Sequence, residues 1–181
     1  MTKFDFVPLF VKIWLILSTI ICTWDASFVL LRPRTLPGGD LHAYWKPYAT
    51  YIQIDKLYGD MQDQFVVEQS ILNIYECIVN VIALCLIFSN SQQKQLSGTF
   101  MAILANAFTF WKTVLYFQYG FPHSLPIKNY VEYIFLYLIP SSFWVIVPLL
   151  SCIAISKRIC TQLLSGSAQQ PDNKTQKVKQ N

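Results

Sequence analysis

Residues 65–88 read FVVEQSILNIYECIVNVIALCLIF, an almost unbroken apolar run of 24 residues. About 20 helical residues are needed to cross the ~30 Å hydrocarbon core of a bilayer, so this stretch is long enough to span a membrane. Its polar residues Gln69, Asn73, Glu76 and Asn80 recur at intervals of four, three and four. That spacing places them on one face of a helix. The run therefore predicts a membrane-spanning helix with one polar face turned toward other helices.

Three further apolar runs of spanning length occur, at about residues 13–31, 99–119 and 130–155. The chain is 54% hydrophobic and 13% charged, whereas soluble domains carry about 25% charged residues. The runs are continuous rather than alternating, which favours helices over barrel strands. The sequence predicts an all-α polytopic membrane protein, a four-transmembrane-helix bundle. Its membrane domain covers residues 13–158, between an N-terminal segment at 1–12 and a disordered tail at 159–181.

The first apolar run is interpreted as a retained span rather than a signal peptide. It is longer than a typical signal-peptide core, contains Asp25 and lacks a small-residue cleavage site before Arg32-Pro33. Basic residues dominate after the last span, at Lys157, Arg158 and further along the tail. By the positive-inside rule we expect a cytoplasmic C-terminus, and four spans then place the N-terminus on the same side.

Charged side chains occur inside three of the predicted spans, at Asp25, Glu76 and Lys112. A charge at the bilayer centre costs at least ~2.5 kcal/mol on insertion scales. Interhelical hydrogen bonding is a sufficient role for neutral residues such as Ser18 and Asn80, but amides would serve packing at lower cost than charges. A pair between Lys112 and one acid would leave the other acid protonated or ready for a cationic ligand. We therefore expect a binding or proton-transfer site here.

Each remaining span also carries a polar or aromatic stripe at helical spacing. The stripes are Ser18, Cys22 and Asp25 on the first span, Asn106, Thr109, Thr113 and Tyr116 on the third, and Tyr137, Ser141, Trp144 and Pro148 on the fourth. A shared interior of this kind suits a hydrophobic molecule with one polar or cationic group. Trp24, Trp111, Tyr116 and Trp144 are candidates for cation–π contacts with it. The aromatic-rich loop after the first span is expected to lie folded on the membrane surface and to be part helical from about residue 41 to 51.

Several other chemistries lack a motif in this sequence. The five cysteines show no close pairing of the zinc type, and we expect them to pack between helices. Both histidines lie in predicted loops, and the patterns of nucleotide-binding loops, serine hydrolases and zinc proteases are missing. We therefore predict no cofactor, no metal site and no nucleic-acid partner.

Four short motifs resemble those of the EXPERA family, and the resemblance covers nearly all of residues 13–158. They are Thr23–Leu30 (TWDASFVL), Trp45–Ala49 (WKPYA) with Asp55–Tyr58 (DKLY), Asn73–Glu76 (NIYE), and Pro140–Pro148 (PSSFWVIVP). That family includes a sterol Δ8–Δ7 isomerase and the sigma-2 receptor. In length and span number the chain is more similar to the sigma-2-receptor-like branch.

The resemblance implies a bundle of the endoplasmic reticulum that binds a sterol or related lipid and also accepts cationic amphiphilic amines. It implies that Asp25, Asp55 and Glu76 match acidic positions of the family and that Trp144 matches a cavity-lining tryptophan. Together with the polar stripes, this gives the predicted ligand-binding set. The set is Asp25, Asp55, Asn73, Glu76, Lys112, Tyr116, Ser141 and Trp144.

Three functions stay open at this stage. The leading one is a non-catalytic or weakly catalytic lipid-binding protein, and a homodimer is compatible with it. The second is a sterol Δ8–Δ7 isomerase with Asp25 and Glu76 as its acid/base pair. The family's isomerase has a histidine where this chain has Ile21, and the positive charge of Lys112 would repel a sterol carbocation. The third is a chaperone or trafficking adaptor for other membrane proteins.

The C-terminus gives a separate indication of location. Lys177 and Lys179 in KVKQN fit a dilysine-type retrieval signal, which coat machinery reads on a cytoplasmic tail. The signal predicts residence in the endoplasmic reticulum membrane and agrees with the predicted topology.

Overall fold

A computed structural model describes residues 6–124, 126–127 and 129–168. Within these residues the chain folds into helices and forms no strand. Four helical segments are long and apolar enough to cross a membrane, and the predicted four-span all-α architecture is confirmed. The segments are Leu9–Leu30, Gln64–Ile87, Gln92–Ser124 and Tyr130–Ser165. The predicted retrieval signal at Lys177 and Lys179 lies outside the described residues.

Helix α1 covers Leu9–Leu30 and begins four residues before the predicted span. It starts directly after Pro8, whose fixed φ suits the entrance of a helix. Val7 and Val11 are buried in the bundle, so the apolar face of the first helix extends into the predicted N-terminal segment. The helix ends before Arg32, whose guanidinium donates to the carbonyl oxygens of Tyr58 and Asp60 at 3.0 and 2.9 Å.

The loop after α1 is folded and part helical, and its helices extend past the predicted range of 41–51 to Gly59. It contains a 3-10 helix at His42–Trp45, α2 at Tyr48–Ile54 and α3 at Lys56–Gly59. The Trp45 indole donates to the carbonyl oxygen of Trp24 at 3.0 Å, and the Thr35 hydroxyl donates to that of Phe28 at 2.6 Å. These bonds attach the loop to the end of α1. Buried residues of α1, the loop and α4 also pack into one cluster, which we call the aromatic cluster although it includes three aliphatic residues. Its members are Phe28, Val29, Trp45, Tyr48, Leu57, Tyr58 and Val66.

Helices α4 (Gln64–Ile87) and α5 (Gln92–Ser124) pack closely against each other. The Asp63 side chain caps α4 by accepting from the backbone N–H of Val66 at 2.9 Å. Gly98 of α5 lies against the last turns of α4, where a Cβ atom would be 2.8 Å from the Ile87 nitrogen. The lack of a side chain at Gly98 lets the two helices approach.

The fourth span consists of α6 (Tyr130–Glu132), a π-helix (Tyr133–Leu138) and α7 (Ile139–Ala168). The Ile139 N–H bonds to the carbonyl of Ile134, five residues back. Pro140 follows and has no N–H to continue the α pattern, which accounts for a change of helix type at this point. Helix α7 continues ten residues past the predicted domain boundary at 158, and Ile159 still packs on the bundle core.

The spans pack in the order α1, α4, α5, α7, each against the next. One end of the bundle is filled by the apolar cluster, which consists of Val7, Val11, Leu15, Ala83, Ile87, Ala102 and Ile155. The other end is covered by the loop helices and the aromatic cluster. The predicted inward orientation of the polar stripes is confirmed at Ser18, Glu76, Asn80, Asn106 and Tyr137, which are all buried. The candidate site lies between the two clusters.

Candidate functional site

A cavity of about 230 Å³ lies between the spans and the loop helices α2 and α3. Its lining is mostly apolar or aromatic, with several polar groups among it. The lining residues are Ile21, Cys22, Asp25, Tyr48, Tyr51, Tyr58, Gln69, Asn73, Lys112, Thr113, Tyr116, Leu136, Pro140, Ser141 and Trp144. All four spans and the loop contribute, which is the arrangement typical of ligand sites in helix bundles.

Asp25 is the acid that faces the cavity. Its two carboxyl oxygens accept hydrogen bonds from the Tyr48 and Tyr58 hydroxyls at 2.5 and 2.9 Å. Neither donor is charged, so these bonds position the carboxyl group without neutralising it. Asp25 is therefore available for a hydrogen-bond donor or a cation in the cavity.

Lys112 pairs with Glu76 rather than with Asp25. Its ammonium nitrogen lies 2.7 Å from Glu76 Oε2, and the two side chains are 6% and 1% exposed. It also donates a hydrogen bond to Asn73 Oδ1. Asn73 and Lys112 line the cavity, whereas Glu76 lies behind them. The pair offsets part of the cost of burying two charges, and Lys112 itself remains part of the cavity wall.

Asp55 lies in the loop between α2 and α3, behind the tyrosines of the cavity wall. It accepts from the Tyr116 hydroxyl at 2.5 Å and from the Tyr51 hydroxyl at 3.3 Å. Burial raises the pKa of Asp55 to about 6, although these hydrogen bonds act in the opposite direction. The hydrogen bond from Tyr116 connects the loop to α5 on the side of the cavity that the loop helices cover.

The four hydroxyl donors form one continuous aromatic wall. Tyr48 and Tyr58 both contact Tyr51 edge-on, with ring centroids 5.5 and 5.0 Å apart, and Tyr58 contacts Tyr116 at 6.3 Å. Stacked and edge-to-face pairs of this kind add to the apolar burial of each ring. We call Tyr48, Tyr51, Tyr58 and Tyr116 the tyrosine wall. It holds two carboxyl groups, one on the cavity side and one behind it.

Trp144 closes the cavity on the side where α1 meets α7. Its indole N–H donates to the Cys22 sulfur at 3.2 Å, and its ring contacts Trp14 edge-on at 5.4 Å. Trp111, proposed as a cation–π partner, points away from the cavity and is 67% exposed, so that prediction is wrong. Trp24 is 40% exposed and does not line the cavity either. Helical spacing alone did not distinguish the inner from the outer face for these two rings.

The structure brings six of the eight predicted ligand-binding residues to the cavity wall. They are Asp25, Asn73, Lys112, Tyr116, Ser141 and Trp144. Asp55 and Glu76 lie one layer behind and hold Tyr116 and Lys112.

Sequence reasoning missed three residues of the tyrosine wall: Tyr48, Tyr51 and Tyr58. It assigned them to the membrane interface on composition. Tyr48 and Tyr51 lie on α2 and Tyr58 lies on α3, so no single helical periodicity connects the three in the sequence.

The fold and the cavity define the chain as a multi-pass membrane protein with a polar-ended cavity inside its helix bundle. Comparisons with protein-family models, with curated proteins and with solved structures found no match.

Proposed function

We propose that this protein binds a sterol or related lipid in the cavity, with the polar group of the ligand at Asp25. The observation that carries the proposal is the position of Asp25. Its carboxyl group faces an otherwise largely apolar cavity, and its hydrogen-bond donors among the described residues are the neutral hydroxyls of Tyr48 and Tyr58. A ligand hydroxyl or amine would donate to it, and the apolar walls would bury the rest of the molecule.

The size of the cavity indicates how such a ligand would lie. About 230 Å³ is less than the ~300–1,000 Å³ of typical sites for drug-sized molecules. The cavity therefore suits the polar end of a longer molecule. Ile21 and Leu136 line it and are 42% and 41% exposed, so the apolar remainder would leave the bundle between α1 and α7 and contact the bilayer.

The ion pair favours binding over isomerisation. An acid/base pair must reach the reacting carbons from the cavity, but Glu76 lies behind Lys112 and does not line it. The ammonium group of Lys112 at the wall would also oppose a sterol carbocation. Residence in the endoplasmic reticulum and membership of the EXPERA family are parts of the same proposal, and the sequence motifs support them.

Mass spectrometry of lipids that copurify with the protein tests the proposal first. We expect one sterol or lipid class to be enriched over the bulk membrane. Binding of that lipid is then measured for the wild type and for Asp25→Asn, which keeps the shape of the side chain. Loss of a charged acceptor is worth about 1.5–3 kcal/mol, so affinity should fall about 10–100-fold.

Asp40→Asn is the matched control. Asp40 is an exposed acid in the loop after α1 that pairs with Arg34, and its removal should leave affinity unchanged. Equal lipid affinity in Asp25→Asn and the wild type would contradict the proposal. Incubation of the purified protein with a Δ8-sterol tests the enzyme alternative. Formation of the Δ7 product would show that the protein is an isomerase rather than a binding protein alone.

A further inference from the structure

Below the cavity, each of the four spans contributes one polar side chain to the bundle core. They are Ser18 of α1, Asn80 of α4, Asn106 of α5 and Ser151 of α7, and each is at most 1% exposed. We call these four residues the polar layer. None of them lines the cavity described above, so the layer is a separate feature.

Contacts between the helices relate these residues in two pairs. The Asn80 amide donates to the Ser18 hydroxyl at 3.3 Å. The Cys152 sulfur lies 3.6 Å from the carbonyl oxygen of Ile103, which brings Ser151 and Asn106 within a turn of each other.

The neighbours of these four residues along each helix indicate that they lie at the same level of the bundle. Every member of the polar layer lies three or four residues from a member of the apolar cluster on its own helix. These neighbours are Leu15, Ala83, Ala102 and Ile155. On the cavity side, Glu76 lies one turn from Asn80 on α4. The polar layer is therefore enclosed between the apolar cluster and the Lys112–Glu76 pair.

The layer has more acceptor oxygens than donors. The Ser18 hydroxyl donates to the Leu15 carbonyl at 3.3 Å, and the Asn106 amide donates to the Ala102 carbonyl at 2.7 Å, so these donors are used. Asn80 Oδ1, Asn106 Oδ1 and Ser151 Oγ have no hydrogen-bond partner among the described residues. The same holds for Glu76 Oε1. Buried oxygens are rarely left without a partner, so each one requires an explanation.

We propose that the polar layer binds a monovalent metal cation of the sodium class, with Asn80, Asn106, Ser151 and the second oxygen of Glu76 as its ligands. Amide, hydroxyl and carboxylate oxygens are the ligands of hard cations. The only carboxylate in this set already shares its charge with Lys112, which suits a single positive charge better than a double one. A transition-metal site is a poor alternative, because no group of three or more His, Cys, Asp or Glu side chains occurs among the described residues.

Thermal unfolding of the purified protein in sodium, potassium and choline chloride at equal ionic strength tests the proposal. A ligand that binds the folded state stabilises it by mass action. At a sodium concentration about tenfold above the dissociation constant, the midpoint should rise by about 3–6 °C relative to choline. Ser151→Ala and Asn106→Leu should abolish this sodium response. Asn106→Asp, which adds a formal charge, should shift it to lower sodium concentrations.

Ser142→Ala is the matched control, since the Ser142 hydroxyl donates to the Ile139 carbonyl on the same helix and lies outside the layer. It should respond to sodium like the wild type. Should Asn106→Leu fail to fold, Ser151→Ala decides the question, because it removes a single oxygen. The proposal is overturned if the wild type melts at the same temperature in all three salts, which indicates that the layer holds water alone. A full sodium response in Ser151→Ala would also overturn it.

Discussion

Lys112 and Glu76 depend on each other because both are nearly excluded from solvent. Removing one partner of a buried ion pair leaves an uncompensated charge and typically costs about 3–5 kcal/mol. We therefore expect Lys112→Met to lower the free energy of unfolding by about that amount in a detergent thermal or chemical melt. The ammonium lies 2.7 Å from Glu76 Oε2, and its removal would leave that buried carboxylate without its cation.

The double variant Lys112→Met/Glu76→Gln separates charge from packing. It removes both charges and should recover most of the stability lost in the single variant. Lys94→Met changes an exposed lysine of the same helix and should have little effect. A Lys112→Met protein as stable as the wild type would show that the pair contributes nothing to folding.

Asp55 should make stability depend on pH. Burial raises its pKa from 3.8 to about 6, so the folded state binds a proton more tightly than the unfolded state. This contribution is fully present below about pH 4 and is lost as pH rises through about 6. Over that window it is on the order of 3 kcal/mol. Asp55→Asn should remove this decline, which chemical unfolding at several pH values measures.

The control for Asp55 is Asp40, whose pKa is shifted in the opposite direction. The neighbouring guanidinium of Arg34 lowers the pKa of Asp40, and both groups are exposed. Asp40→Asn should therefore leave the decline between pH 4 and 6 intact. If Asp55→Asn and the wild type lose stability equally over this range, the Asp55 carboxyl is not the titrating group.

At the scale of elements, the α4–α5 contact depends on the glycine at its closest point. A Cβ at Gly98 would lie 2.8 Å from the Ile87 nitrogen and 2.9 Å from the Ala83 carbonyl oxygen. Backbone atoms cannot move aside as a flexible side chain can, so the helices would have to separate. Overpacking of this kind costs about 1–3 kcal/mol, more than the roughly 1 kcal/mol that alanine gains in helix propensity. We expect Gly98→Ala to melt at a lower temperature.

Gly59→Ala is the matched substitution at a site with room. A Cβ there would be 3.4 Å from the nearest atom, the Ile52 Cβ, which is an ordinary contact. Its melting temperature should equal or exceed that of the wild type. Unchanged stability in Gly98→Ala would show that α4 and α5 adjust their separation freely.

The polar stripes were predictable because helical periodicity in a lipid environment leaves only the bundle interior for such groups. Glu76, Asn80 and Asn106 are buried as their spacing required. The partner of Lys112 was not predictable, since Asp25 and Glu76 both lie on inward faces. Only the packing of α4 against α5 selects Glu76.

The tyrosine wall could not be predicted from the sequence, because its contacts join residues far apart along the chain. Tyr48 and Tyr58 reach Asp25 across 23 and 33 residues of sequence, and local pattern does not report such contacts. In sequence these loop aromatics look the same as rings that anchor a protein at the membrane surface. The docking of α2 and α3 onto the end of α1 makes them part of the cavity instead.

At the scale of the whole molecule, the proposed topology has both termini on the cytoplasmic side, which requires all four helical segments to cross the membrane. The tail contains Asn173-Lys174-Thr175, which is an acceptor pattern for N-glycosylation. With a cytoplasmic C-terminus this asparagine never meets the glycosylation enzymes. We therefore expect glycosidase treatment to leave the mobility of the expressed protein unchanged, and a C-terminal epitope tag to be digested by protease added to intact microsomes.

An introduced glycosylation acceptor tests on which side of the membrane the loop between the first two spans lies. An acceptor sequence inserted at Gly38 lies in an exposed turn of the loop between the first two spans, where a side chain would meet nothing within 4 Å. Three helix crossings separate that loop from the tail, so it must face the other compartment. The inserted acceptor should be glycosylated in cells. A protected C-terminal tag together with an unmodified loop acceptor would reverse the orientation, and the predicted retrieval signal at Lys177 and Lys179 would then be out of reach of coat machinery.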